Sequence, residues 1–358
     1  MAQPSLLLSG HEREQVESFF EPRAARVDDG TATVRESLEF LNTRVLPAAK
    51  TEHGPNGDLL HVMRTTATVA RSDMSSAFSL WCQRMVMEYL WYGSQSAPRH
   101  NATLDRVERV EILGSTGLAA AMAHCVTGAP LPVVWRADGD DIVLNGRISW
   151  ASNLFPPHLV LVTAAAHVDD GREIIVAIPG ATKGFNIDPY PDLLALQATG
   201  SSSIMLEQLC LPRSAIVTDD FWGFTAHVRP RFLLIQSSFA WGLASRSLDE
   251  ARAAIRGVND VLQPDLDTLS EREAQSQRIL LEYGDAVRSG TVLVRDAVAV
   301  RLECAHLATE SVALESKVVG GRGYTRQSST ARRYREAAFL PVQAPTEGQL
   351  RWELQHSA

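Results

Sequence analysis

The chain has 358 residues, 45% hydrophobic and 21% charged, which is long enough for two or three domains with a sizeable core. Its formal net charge of −8 and the lack of any long Lys/Arg run argue against nucleic acid or an anionic membrane as the main partner. A mean hydropathy of −0.07, with no run of transmembrane length, describes an ordinary soluble globular protein.

Residues 1–125 read as a helical domain. The opening MAQPSLLLSGHERE has a short apolar patch and no basic region before it, so it does not read as a signal peptide. Residues 11–20 begin with acidic side chains, and residues 33–46 have apolar spacing that suits a helix. Residues 74–90 carry Phe78, Trp81, Met85, Met87 and Leu90, a wide buried face. Residues 106–113 and 117–123 are predicted as short helices joined by Gly114-Ser115-Thr116.

Composition changes near Val126, and residues 126–225 read as a small antiparallel β domain. Predicted strands are 133–137, 142–148, 159–164, 173–178 and 204–211, with turns at Asp169-Asp170-Gly171 and Pro179-Gly180. Asn145-Gly146 is a turn dipeptide inside a strand region. After it comes a polar hinge, Ser149-Trp150-Ala151-Ser152-Asn153, then a β-branched apolar run. Trp150 and Ser152, two apart on an extended segment, project to the same side. The pair could stack a planar ligand and hydrogen-bond it; the alternative is a strand-end Trp in a core.

Residues 226–358 read as a helical bundle. Residues 232–258 are strongly apolar, 262–271 read as a loop, 270–287 are amphipathic, and 290–319 end at the helix stop Gly320-Gly321. Thr346-Glu347-Gly348-Gln349 has the capping-box form that opens a last helix. Cys82, Cys125, Cys210 and Cys304 are far apart in apolar settings, with no metal-ligand spacing. Neither a metal site nor a disulfide framework is expected, and reduced, buried thiols in a cytoplasmic protein are the default.

This order of helices, β domain and bundle resembles the acyl-CoA dehydrogenase superfamily of flavoproteins, from about Ser72 onward. The strongest segment is Asn145 to Asn153, NGRISWASN, similar to the family's NG-x-K-x-W-I-[ST]-N strand pair. SSIMLEQLCLP at 202–212 is similar to a family strand ending in a Val-Pro step. Gly320-Gly321-Arg322-Gly323-Tyr324 and the following Arg332-Arg333-Tyr334-Arg335-Glu336-Ala337 resemble its glycine turn and arginine-rich segment, and Asp73-Met74-Ser75 its helix start before the substrate cleft. The resemblance implies an α+β fold with an N-terminal helical domain, a central antiparallel β domain and a C-terminal four-helix bundle. It implies FAD, with Trp150 against the flavin ring, Ser152 donating to its N5 edge and Thr127 bonding the pyrimidine end. Gly320 and Gly321 would admit the dinucleotide portion of a flavin shared with a neighbouring subunit, hence a homodimer or homotetramer.

The chain departs from that pattern where the chemistry needs it most. Removal of a thioester α-proton requires a carboxylate base, and the family's Glu-Gly-Thr step is here Ala344-Pro345-Thr346. The other usual base position falls near Phe232. Glu347 is the nearest carboxylate and the candidate relocated base; the competing reading is a first-turn acid favoured by the helix dipole. His158 is a further titratable group near the hinge, of the kind more often found on a surface. The family's pyrophosphate Arg step falls at Val258-Asn259-Asp260-Val261, Lys317 replaces a Gln, and Gly128-Ala129-Pro130-Leu131-Pro132 lacks the serine that touches acyl-CoA in relatives. Three readings follow: an acyl-thioester oxidoreductase using FAD, a two-component flavin monooxygenase with FAD or FMN, or a non-catalytic subunit pairing with a homologous chain.

Overall fold

Side-chain caps set several helix starts in the N-terminal part. The computed structural model describes residues 5–46 and 59–356. After α1 (Gly10–Phe20) and α2 (Ala24–Asp28), Thr33 accepts from Arg35 N to open α3 (Val34–Arg44). Following α4 (Leu59–Ala70), Asp73 accepts from Ser76 N to open α5 (Met74–Ser96), whose inner face is buried nearly end to end. A short helix α6 (Asn101–Glu108) then leads to β1 (Leu113–Gly117) and α7 (Ala119–Thr127).

Gly114-Ser115-Thr116, expected to join two short helices, form this strand instead, together with the flanking Leu113 and Gly117. β1 is too short to show a period of its own, and its identity comes from parallel pairing with residues 159–163. The rest of the sheet comprises β2 (Val133–Asp138), β3 (Asp141–Ala151), β4 (Leu159–His167), β5 (Glu173–Pro179), β6 (Phe185–Ile187), β7 (Ser202–Pro212) and β8 (Ile216–Thr218). Its order is β6-β7-β3-β2-β4-β5-β8, with β1 beside β4. The sheet is mixed rather than antiparallel, because one edge of β4 takes both β1 and the end of β2 in parallel.

Alternate residues of β4 enter two cores. Leu159, Leu161 and Ala165 join the sheet's own apolar layer, while Val160, Val162 and Ala164 pack with the helices. In β3, Asn145-Gly146 is a bulge and not a turn: the pairing with β7 shifts between Leu144 and Gly146. Gly146 has φ +139°, and a Cβ there would stand 2.2 Å from the Pro132 carbonyl oxygen.

The helices return with α8 (Phe221–Ala254), eleven residues earlier than the apolar pattern indicates, because the helix runs through Pro230. Asp220 caps it by accepting from Gly223 N at 2.9 Å, and buried Phe221, Phe224 and Val228 hold its first turns in place. The segment read as a loop at 262–271 belongs to α9 (Gln263–Ala286), with Pro264 tolerated in its first turn. α10 (Val294–Val319), α11 (Ser329–Ala337) and α12 (Glu347–His356) complete the chain. Among the described residues no helix is long and apolar enough to cross a membrane. Cys82 and Cys304 are buried as expected, but Cys210, on β7, is exposed.

Two buried ion pairs fix α11 and α12 on the bundle and so place the turn between them. Arg333 pairs with Glu315 of α10 at 2.5 Å, both essentially without solvent access. Arg229 of α8 holds both oxygens of Glu353 in α12, at 2.6 and 2.8 Å.

Candidate active site

The hinge after β3 is locked from beneath. Asn153 has φ +59°, a conformation Asn tolerates better than most residues, and is fully buried. Its Nδ2 donates to the carbonyls of Ser79 in α5 and Gly114 in β1, each at 3.1 Å. This anchorage presents Trp150 and Ser152 on one wall of a cavity of about 720 Å³ between the sheet and the helices. The Trp150 indole is 56% exposed, whereas Ser152 is 8% exposed. A large aromatic left open on a cavity wall does not behave as a core residue.

The opposite wall is the turn between α11 and α12, with Phe339, Val342, Gln343, Ala344 and Thr346 lining the space. Gln236 donates to the Ala344 carbonyl at 3.0 Å, and Arg301 donates to Gln236, Leu340 and Gln343 at 3.0–3.1 Å. Burial lowers Arg301 to about 10, and it stays cationic at neutral pH. Phe78, Trp81 and Phe232 supply an apolar floor. At the rim Arg335 binds both oxygens of Asp28 at 2.6 and 3.0 Å and the Leu194 carbonyl at 3.2 Å, joining three parts of the chain.

Among the described residues, no Asp, Glu or His lines this cavity. The Cys82 thiol does, but burial pushes its pKa far up, so it stays protonated. Nor, among the described residues, is any group of three His, Cys, Asp or Glu side chains placed to hold a metal ion.

The remaining candidates from the sequence lie elsewhere. Thr127 ends α7, is exposed, and bonds the Ala123 carbonyl at 3.0 Å and Ala129 N at 3.3 Å, away from the cavity. Thr116 of β1, 3.3 Å from the Tyr89 hydroxyl, lines the cavity instead, as do Thr163 and Thr346. Nothing local distinguishes Thr116; the parallel pairing of β1 brings it there. Gly320 and Gly321 are exposed outside the cavity, with open space where a Cβ would stand. Glu347 does not line the cavity either: it pairs with Arg351 at 2.6 Å and His306 at 3.2 Å. Burial alone would raise its pKa, but those two partners outweigh it and hold the carboxyl below its usual range. His158 and Lys317 are exposed, as are Val258 and Val261.

No family model matches the chain. It is 23% identical over 244 residues to the probable acyl-CoA dehydrogenase YngJ of Bacillus subtilis, covering 64% of each chain. It is 21% identical over 356 residues to the short-chain specific acyl-CoA dehydrogenase of Clostridium acetobutylicum, covering 92% of this chain and 91% of that one. The match thus spans just under two thirds of the Bacillus protein and nearly all of the clostridial one. Glutaryl-CoA dehydrogenase from Mycobacterium smegmatis superposes with a TM-score of 0.86 at 19% identity, covering 98% of this chain and 95% of that structure. The chain has the fold of the acyl-CoA dehydrogenases. At these identities the fold carries over, and the chemistry does not follow from it.

Proposed function

We propose that the chain is a flavin-dependent oxidoreductase that takes FAD and an acyl thioester or a similarly apolar small molecule. The observation that carries this reading is one cavity wall on which an open Trp150 indole stands with the hydroxyls of Ser152 and Thr116. That set fits a planar ring with a polar edge: Trp150 would lie against the face, and Ser152 and Thr116 would meet the heteroatoms. The space at Gly320 and Gly321 would admit the dinucleotide end of a flavin shared between subunits of a homodimer or homotetramer. A flavin bound there supplies the two-electron acceptor. Phe78, Trp81, Phe232 and Phe339 pack an acyl chain and exclude water.

Among the described residues the lining supplies no carboxylate to remove an α-proton, and Ala344 stands where family resemblance implies one. This favours a second reading, in which reduced FAD or FMN from a separate reductase is used with oxygen, a reaction that needs no such base. Both reactions suit a cytoplasmic protein.

The test is an absorption spectrum of the purified protein, before and after acyl-CoA, and oxygen consumption with added reduced flavin. Bleaching of a yellow protein by acyl-CoA supports dehydrogenation, and oxygen-dependent product supports the second reading. Colourless protein that copurifies with a homologous chain and takes up no flavin alone contradicts both.

A further inference from the structure

Behind Ser152 runs a chain of hydroxyls whose direction is determined. Thr199 Oγ1 donates to the Leu196 carbonyl at 2.7 Å, and that oxygen can only accept. Thr199 has no other hydrogen, so at its 2.7 Å contact with Ser201 it is the acceptor. Ser201 has then used its own hydrogen, so at its 2.7 Å contact with Ser152 it accepts in turn. Three hydroxyl hydrogens make three bonds in a single order: Ser152 to Ser201 to Thr199 to Leu196. All three distances are typical of O–H···O bonds. Thr199 is fully buried and Leu196 is 3% exposed, so water is not at hand to replace the last link, whereas Ser201 is half-buried and itself lines the cavity beside Ser152.

We propose that Ser201 and Thr199 are positioning residues that turn the Ser152 hydroxyl inward, so that Ser152 offers the cavity only acceptor lone pairs. A flavin ring edge placed there meets an acceptor. Reduced flavin carries a hydrogen on N5 and can donate to it; oxidised flavin has a bare N5 lone pair and cannot. The site therefore prefers the reduced form. This inference rests on the flavin reading above, and it reverses the donating role that family resemblance alone implies for Ser152. Without the relay, Ser152 is free to donate to oxidised N5.

The discriminating experiment measures the two-electron midpoint potential of the protein-bound flavin, with anaerobic binding of oxidised and reduced FAD as a cross-check. In the wild type, reduced FAD binds more tightly than oxidised FAD. Ser201→Ala and Thr199→Val each lower that preference about tenfold, one hydrogen bond's worth, which is about 30 mV for a two-electron couple. Thr199→Ser keeps the relay and the wild-type value. In a Ser152→Ala background, Ser201→Ala has no further effect, an outcome that a merely structural role for Ser201 would not produce. Flavin that binds with a potential unchanged by Ser201→Ala, or that binds more tightly when oxidised, overturns the relay and leaves the flavin reading standing. Failure to bind FAD in either state overturns both.

Discussion

Gln236 ties α8 to the turn at Ala344: its Nε2 donates to the Ala344 carbonyl at 3.0 Å while its Oε1 accepts from Arg301 at 3.1 Å. The turn at Ala344 is thus held by an amide and a buried guanidinium, with a methyl group on the cavity wall where family resemblance implies a carboxylate. The backbone of the turn is anchored from α8 and α10.

Ala344→Glu tests whether only the base is missing. It puts a carboxylate on a cavity wall that otherwise has none among its described lining residues. Acyl-CoA-dependent bleaching of the bound flavin should rise about a hundredfold or more, within the range of general-base catalysis. An unchanged bleaching rate in a flavin-loaded variant shows that more than the base separates this chain from the dehydrogenases.

Glu347→Gln should leave flavin content and turnover as they are, because the Glu347 carboxyl is engaged with His306 and Arg351 outside the cavity. The loss in stability should stay under about 1 kcal/mol, as for partly exposed ion pairs. Turnover lost while flavin is retained would restore Glu347 as the base.

Glu336 gives a stability dependence on pH. It is buried with neither oxygen hydrogen-bonded, and burial, opposed by Arg332 and aided by Asp73 and Asp28, raises it from 4.5 to about 7. A carboxyl raised on folding holds its proton in the native state, so its contribution is complete below the unfolded pKa and is lost as pH rises through the folded one. Between those values wild-type stability should fall relative to Glu336→Gln by up to about 1.4 kcal/mol per pH unit. Urea midpoints across that range check it; parallel curves for the two proteins would count against a raised Glu336.

Gly146→Ala should destabilise the sheet by more than about 2 kcal/mol, since the added carbon meets backbone in a conformation that L residues avoid. Denaturant unfolding measures it, and a loss within experimental error would mean that the bulge relaxes.

The parts of the fold carried by local pattern were legible. The strand–hinge–strand around Trp150, the cap at Asp73 and the stop at Gly320 each depend on residues within a few positions of one another. What was hidden depends on distance in sequence. β1 is a strand only because β4 lies beside it, and that pairing, which local pattern does not show, brings Thr116 rather than Thr127 to the cavity. The apolar pattern of α8 begins at Phe232, and only the packing of Phe221 and Phe224 shows that the helix runs through Pro230. The Ser152–Ser201 contact joins residues forty-nine positions apart, and no spacing rule reaches that far.

The most direct test of the central proposal is to release and identify the chromophore of purified wild-type protein and to repeat the spectrum with Ser152→Ala. A flavin site at the Trp150–Ser152 wall predicts FAD in the wild type and a shifted flavin spectrum in the variant. A protein that takes up neither oxidised nor reduced FAD, or a flavin spectrum identical in the two proteins, would contradict it.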